Sequence, residues 1–490
     1  MVLLAGLAAI VLAAGVRFRH ARAVHPERSR GGLQTPTFHV SSSADFSHSP
    51  AAQRLRAGAA GANAIIILLD AACADHFTSS GYSRNTTPNI AKFQANSVLF
   101  TEAYSAAAST KPSVASLFTA QFPDTHGALA LPSRLGPEGA TLAECLRGAG
   151  YTTAAFSASP SLSASFGYNR GFGYFREIFR EAGLEPATAH RRSTGALPVD
   201  GALVVGAVVD WVRAHKSERF FAYIHFREPH YPYIVPPSFR APFLDPKTGR
   251  RPQKILYDAS LAYVDSLVGK LLADLDAQGL LDRSVVVLLA DHGEAFGEHG
   301  RVGHSSTPYI EMTHVPLTIH LPSRCGVVPQ RRPEIFCLTD LMPTLLDLLR
   351  IAPPKTMQGR TRLVLLAGEK ESAPAFAVSR ALGEDHTGGK IDYGQVSYAL
   401  RVPRYTLVLA DQGQRVELYD RGVDPGELHD IVAEKPDEVK KLRAQFEDWA
   451  ASQRGRPVVL PGGQVFSVGG DEAAFDEATR RQLKALGYLR

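Results

Sequence analysis

The chain is expected to be an α/β protein built on a mostly parallel sheet, followed by a smaller subdomain with a short antiparallel sheet. Three observations carry this expectation. Residues 285–289 (Val-Val-Val-Leu-Leu) form an unbroken apolar run rich in β-branched residues, as in a strand buried on both faces of a parallel sheet. Residues 63–69 (Asn-Ala-Ile-Ile-Ile-Leu-Leu) form a second such run. Ahead of the later run, Leu261, Val264, Leu267, Val268, Leu271, Leu272 and Leu275 mark one helix face at 3.6 spacing, and Gly279 can stop that helix.

Both strands end in an acid. Asp70 closes the first, and Asp291 with His292 closes the second, where Gly293 lets the backbone turn away. Ligands of open α/β sheets bind outside the carboxyl ends of the strands. An acid and an imidazole at such an end, beside Glu294, Glu298, His299 and His304, have the character of metal ligands.

Composition narrows the class. With 490 residues and 45% hydrophobic content the chain can bury a large core. The net charge of +5 is confined to residues 1–62, which hold seven Arg, no Lys, one Asp and one Glu. The remainder has 46 basic and 46 acidic residues, so composition offers no argument for nucleic acid as a partner. Cys73, Cys145, Cys325 and Cys337 lack paired zinc-type spacing and imply no disulfide framework. Cys73 and Cys337 read as small core residues.

Residues 1–16 are apolar and rich in Ala and Leu, and they read as a secretory signal or a membrane anchor. Arg17, Arg19 and Arg22 follow the apolar run where a cleaved signal would carry its charge ahead of it, which points to an uncleaved anchor or to a start further upstream. Residues 17–62 show no apolar periodicity and read as a flexible linker that carries the folded part away from a membrane. The catalytic domain is expected over 63–354, on the periplasmic or extracellular side, and a C-terminal subdomain and tail over 355–490.

Thr87-Pro88 predicts the start of a short helix bearing Ile90 and Phe93. Residues 98–100 begin a strand. Pro112 suits the first turn of a helix containing Leu117 and Phe118, so Thr110 is expected just before a helix N-terminus, where free N–H groups favour anions. A hydroxyl held there beside a cation can act as a nucleophile. Lys111 is expected to face solvent. Thr339-Asp340 begins a helix bearing Leu341, Leu345, Leu346 and Leu349. Tyr398-Ala-Leu-Arg, Tyr405-Thr-Leu-Val-Leu and Val416-Glu-Leu-Tyr are short strands. Pro436 opens a helix to about Trp449, 460–470 is a loop, and 483–489 reads as a last short helix.

These segments together resemble the sulfatase family, within the alkaline phosphatase superfamily. The matching stretches are Ile-Ile-Ile-Leu-Leu-Asp70, Tyr82-Ser-Arg-Asn-Thr-Thr-Pro-Asn89, Thr110-Lys-Pro-Ser113 through Leu117-Phe-Thr119, and Phe122-Pro-Asp-Thr-His-Gly127. Phe221-Ala-Tyr-Ile-His225, Glu228-Pro-His230-Tyr-Pro-Tyr233, Tyr263-Val-Asp265, Asp291-His-Gly-Glu294 and Val315-Pro-Leu317 follow in the same order. The resemblance implies an alkaline-phosphatase-like three-layer sandwich. It implies one divalent cation (zinc, manganese, magnesium or calcium) held by Asp70, Asp291, His292 and the Thr110 oxygen. It places His230 and His304 at the oxygens of the sulfate or phosphate or at the leaving group. His225, on a strand beside aromatics, is read as structural.

The departures are specific. Sulfatases carry Cys or Ser, converted to formylglycine, where this chain has Thr110, and an Arg where it has Val114. A family Lys motif after Tyr151 is replaced by Phe156-Ser-Ala-Ser159. A threonine nucleophile resembles the superfamily's phosphoglycerol and phosphoethanolamine transferases and some phosphodiesterases. Three functions follow: hydrolysis of sulfate or phosphate esters, on a glycan or lipid, by Thr110; an envelope phosphotransferase; or a catalytically weak binder of sulfated or phosphorylated glycans.

Overall fold

The computed structural model describes residues 49–130, 133–181, 201–244, 252–371, 376–385 and 392–453. The apolar segment 1–16, most of the expected linker, the 460–470 loop and the last helix lie outside these residues. Among the described residues no helix is long and apolar enough to cross a membrane.

The main sheet is built from β1 (Asn63–Leu69), β2 (Val98–Tyr104), β3 (Thr152–Ser157), β4 (Tyr174–Glu177), β5 (Phe220–Phe226), β6 (Ser284–Ala290), β9 (Leu317–His320) and β10 (Gln330–Cys337). A two-stranded hairpin, β7 (Ala295–Phe296) with β8 (Val302–Gly303), lies between β6 and β9 in the chain. The eight strands run in the order β10-β2-β9-β6-β1-β5-β3-β4, and all pairs are parallel except those of β9. This is the predicted α/β architecture. Every residue of β1, β5 and β6 is buried, which is why their sequences are apolar without alternation.

Helices cover the sheet in two groups. Gln253–Ala277 packs with Gly201–His215 and Pro88–Gln94, and Thr110–Thr119 packs with Leu341–Leu348. The Gln253–Ala277 helix ends where expected, with Gly279 at φ 64°. A second sheet is an antiparallel meander of β11 (Ala377–Asp385), β12 (Asp392–Arg401), β13 (Tyr405–Ala410) and β14 (Arg415–Asp420). The helix Pro436–Ser452 lays Leu442, Phe446 and Trp449 against its Tyr398, Leu400, Leu407 and Leu409.

The expected linker to residue 62 is corrected from Ser49 onward. Pro50–Gly58 is a helix, capped by the Ser49 side chain accepting from the Ala52 N–H. Its Ala52 and Leu55 join the main core, and Arg56 pairs with the buried Asp347 at 2.6 Å. One Leu among Ala and Arg produced no periodic pattern, although the Ser-Pro start is a capping signal.

Candidate active site

Register brings the site together. Leu69 pairs with Ala290 on β6 and Leu68 with His225 on β5, so the carboxyl ends of three parallel strands lie level. Asp70 follows β1, Asp291 and His292 follow β6, and His225 is the penultimate residue of β5. Thr110 is the first residue of its helix, one position further in than expected, with Ser109 at the cap. That helix is tied to the sheet by the Ser113 hydroxyl, which donates to the Asp291 carbonyl at 2.7 Å.

The Thr110 hydroxyl lies 3.2 Å from Asp70 Oδ1 and 3.1 Å from His292 Nε2. His292 Nδ1 donates to the Gly293 carbonyl at 2.9 Å, which leaves Nε2 as a bare lone pair facing the hydroxyl. Asp291 Oδ1 accepts from the N–H groups of Ala71 and His292. Ala71 itself adopts a left-handed φ of 61° in order to do so. The four residues expected to hold a cation are thus brought together and buried.

His225, read from the sequence as structural, reaches this cluster. Its Nε2 lies 3.5 Å from Asp70 Oδ2, and Asp70, His225 and Asp291 form a buried group that could hold a metal ion. Neither of its ring nitrogens has a hydrogen-bond partner, and neither does Asp291 Oδ2. The strand-end rule that picked out Asp70 and Asp291 applies equally to a histidine at the end of Phe220–Phe226.

Lys111 is also corrected: it is buried, with Nζ 3.4 Å over the Phe166 ring and no hydrogen-bond partner. Burial, with Arg134 adding to it, pushes its pKa well down.

Electrostatics favour a cation among these groups. Burial and then the neighbouring Asp291 push the Asp70 carboxyl well up, and burial likewise raises Asp291. Burial pushes His292 down to about 3 and His225 to about 4, so both imidazoles offer lone pairs. Two crowded carboxylates, two neutral imidazoles and a hydroxyl, with orphaned buried donor atoms among them, fit a divalent ion.

The two remaining histidines stand beside this cluster. His304 lies 4.5 Å from His292 between ring centroids, and His230 lies 4.9 Å from His304. His304 Nδ1 is 2.9 Å from Glu294 Oε1, and Glu294 also accepts from the Tyr233 hydroxyl. His230 Nδ1 donates to the Tyr231 carbonyl at 2.6 Å. Burial, then His304 and Arg227, push the His230 pKa well down.

Residues 62–351 match the family model described as Sulfatase. The chain belongs to the sulfatase family. Residues 297–453 also match the model described as N-sulphoglucosamine sulphohydrolase, C-terminal. It is 30% identical over 190 residues to arylsulfatase K of Mus musculus, covering 38% of this chain and 33% of that protein. It is 34% identical over 177 residues to the Delta 4,5-hexuronate-2-O-sulfatase of Bacteroides thetaiotaomicron, covering 34% of each. The chain thus spans about a third of the length of these curated relatives. Among solved structures, the phosphonate monoester hydrolase of Agrobacterium radiobacter superposes with a TM-score of 0.69 at 21% identity, over 80% of this chain and 96% of that one. That likeness establishes the alkaline-phosphatase-like fold expected from the resemblance.

Proposed function

We propose that this protein is a metal-dependent hydrolase of sulfate or phosphate esters with Thr110 as its nucleophile. The observation that carries the reading is the Thr110 hydroxyl at a helix N-terminus, 3.2 Å from Asp70 Oδ1 and 3.1 Å from His292 Nε2. Asp70, Asp291, His292 and His225 would hold the divalent ion, with the Thr110 oxygen completing the set. When bound, such an ion supplies Lewis-acid polarisation of the ester and lowers the pKa of the hydroxyl.

The chain's own residues do the rest. Thr110 passes its proton to the Asp70 carboxylate 3.2 Å away as its oxygen bonds to sulfur or phosphorus. The bond to the leaving oxygen breaks, and His304, its ring oriented by Glu294, delivers a proton there from Nε2. Water then cleaves the sulfo- or phosphothreonine and restores the hydroxyl. His230, its one N–H spent on the Tyr231 carbonyl, keeps a bare Nε2 beside His304 that can accept a hydrogen bond.

Convergence of Asp70, Asp291 and His292 on Thr110 supports a working enzyme over a weak glycan binder. The named relatives support a sulfated glycan as one substrate class, and the missing aldehyde precursor supports phosphodiesters as the better one. The apolar stretch at 1–16 supports an exported or anchored enzyme. The test is a panel of aryl sulfate, phosphate monoester and phosphodiester, each with and without an acceptor alcohol, after loading with zinc, manganese, magnesium or calcium. Product formed with water alone identifies the hydrolase, product that needs the alcohol identifies a phosphotransferase, and no turnover of any ester refutes both.

A further inference from the structure

Residues 294–304 form a small hairpin in which Ala295 pairs with Gly303 and Phe296 with Val302. Its two ends meet at the active site through the contact between Glu294 and His304. At its tip Glu298 lies 3.6 Å from Lys254 Nζ, and His299 reaches in the other direction to Glu311 and Glu427. His299 Nδ1 lies 3.1 Å from Glu311 Oε1, and Nε2 lies 2.6 Å from the backbone carbonyl of Glu427. A carboxylate and a carbonyl only accept, so both ring nitrogens must carry a hydrogen and the ring must be the imidazolium.

The surroundings suit that charge. The ring lies flat on Tyr309, centroids 3.9 Å apart and planes within 7°, with Tyr419 of β14 edge-on. Glu311 comes from the turn Ile310–Thr313, and its Oε2 is buried without a hydrogen bond, so His299 supplies its countercharge. The Glu427 carboxylate is already engaged by Arg401, Thr406 and the Ile310 N–H, which fixes the carbonyl that His299 meets. Behind the two tyrosines, Glu417 accepts from both hydroxyls and is paired with Arg415. Burial opposes a charged His299, but Glu311 and then Glu427 outweigh it and hold the pKa above the ordinary histidine value.

We propose that His299 is a positioning residue for His304: its doubly protonated ring clamps the hairpin tip to Glu311 and to the C-terminal subdomain, and through the hairpin sets where the His304 ring stands. This rests on the reading of His304 as a group at the reacting ester. When the ring loses a proton, one of its two hydrogen bonds becomes a contact between acceptors and this side of the tip is loosened. Activity then falls on the alkaline side.

The experiment follows isotope-labelled histidine rings by NMR against pH in the full chain, alongside the pH profile of kcat/KM for the best ester in the panel. It compares the parent with His299→Asn, which suits the left-handed φ of 49° and keeps one donor, and with Glu311→Gln. The His299 signals should titrate above about 6.5. The His304 signals and the alkaline fall in kcat/KM should share that midpoint. In His299→Asn the inflection that follows His299 should vanish from both readouts, leaving only His304's own titration, and kcat should drop about tenfold or more, with KM little changed. Glu311→Gln should move the midpoint to lower pH, and this variant decides the matter if His299→Asn does not fold. A His299 that titrates at or below the ordinary value, or His304 signals and a pH profile indifferent to both substitutions, would overturn the proposal. If no ester is turned over while His304 still tracks His299, the hydrolase reading fails and the clamp stands.

Discussion

His292 Nε2 stands 3.1 Å from Thr110 Oγ1 with no hydrogen of its own, because the ring's N–H is spent on the Gly293 carbonyl. The single Thr110 hydrogen therefore faces two acceptors, this nitrogen and Asp70 Oδ1 at 3.2 Å. One proton short of its acceptors, the cluster favours a cation or, without one, an added proton on Asp70.

Thr110→Ala should abolish turnover, by about three orders of magnitude or more if the nucleophile is removed outright, while the fold and most metal binding persist. Thr110→Ser should keep measurable activity, since only a methyl is lost. Rapid acid quench followed by mass spectrometry should find the sulfo or phospho label on Thr110. A label on Ser109 or Ser113 with an active Thr110→Ala protein would contradict the assignment.

Metal binding should depend on His225 as well as on Asp291. Asp291→Asn and His225→Ala should each weaken metal affinity by about 10- to 100-fold or more. Elemental analysis of purified protein and titration calorimetry of the chelated form with zinc or manganese check this. Unchanged affinity in His225→Ala would return that residue to a purely structural role.

The helix Pro50–Gly58 should be part of the folding unit. Arg56→Ala leaves the buried Asp347 carboxylate without its nearest cation, and such breaks cost about 3–5 kcal/mol. A chain starting at Ser49 should show a cooperative denaturant transition, and one starting at Asn63 should unfold earlier or aggregate. Equal midpoints for the two would remove the helix from the core.

Stability should also fall in acid through Glu102. Burial opposes its charge, but Arg421 and the Tyr104 hydroxyl outweigh burial and hold its pKa below the ordinary value of 4.5. A depressed carboxylate stabilises the fold above its unfolded pKa, and that contribution is lost as pH falls through the folded value. Glu102→Gln should therefore lower Tm at pH 7, and the difference from the parent should shrink below about pH 4.5. A Tm difference that does not change with pH would show that the carboxylate's charge is not what matters there.

Local chemistry made much of this protein legible from the chain alone. The two apolar runs ending in Asp70 and Asp291, the adjacent His292, and Thr110 at a proline-marked helix start were readable because each signal sits within a few neighbouring residues. So were the α/β class and three of the four strands of the small sheet, since their periodicity is local. Tertiary structure decided the rest. Strand register alone sets His225 level with Asp70, and no spacing in the chain reports a contact across 155 residues. The burial of Lys111 depends on the Phe166 ring closing over it. β11, whose Ser-Arg-Ala-Leu-Gly pattern has no clear alternation, becomes a strand by pairing along β12, and its backbone meets the Ser105–Ala108 loop ahead of Thr110. Non-local pairing supplies what those stretches lack in intrinsic preference, and that contribution is visible only once the chain has folded.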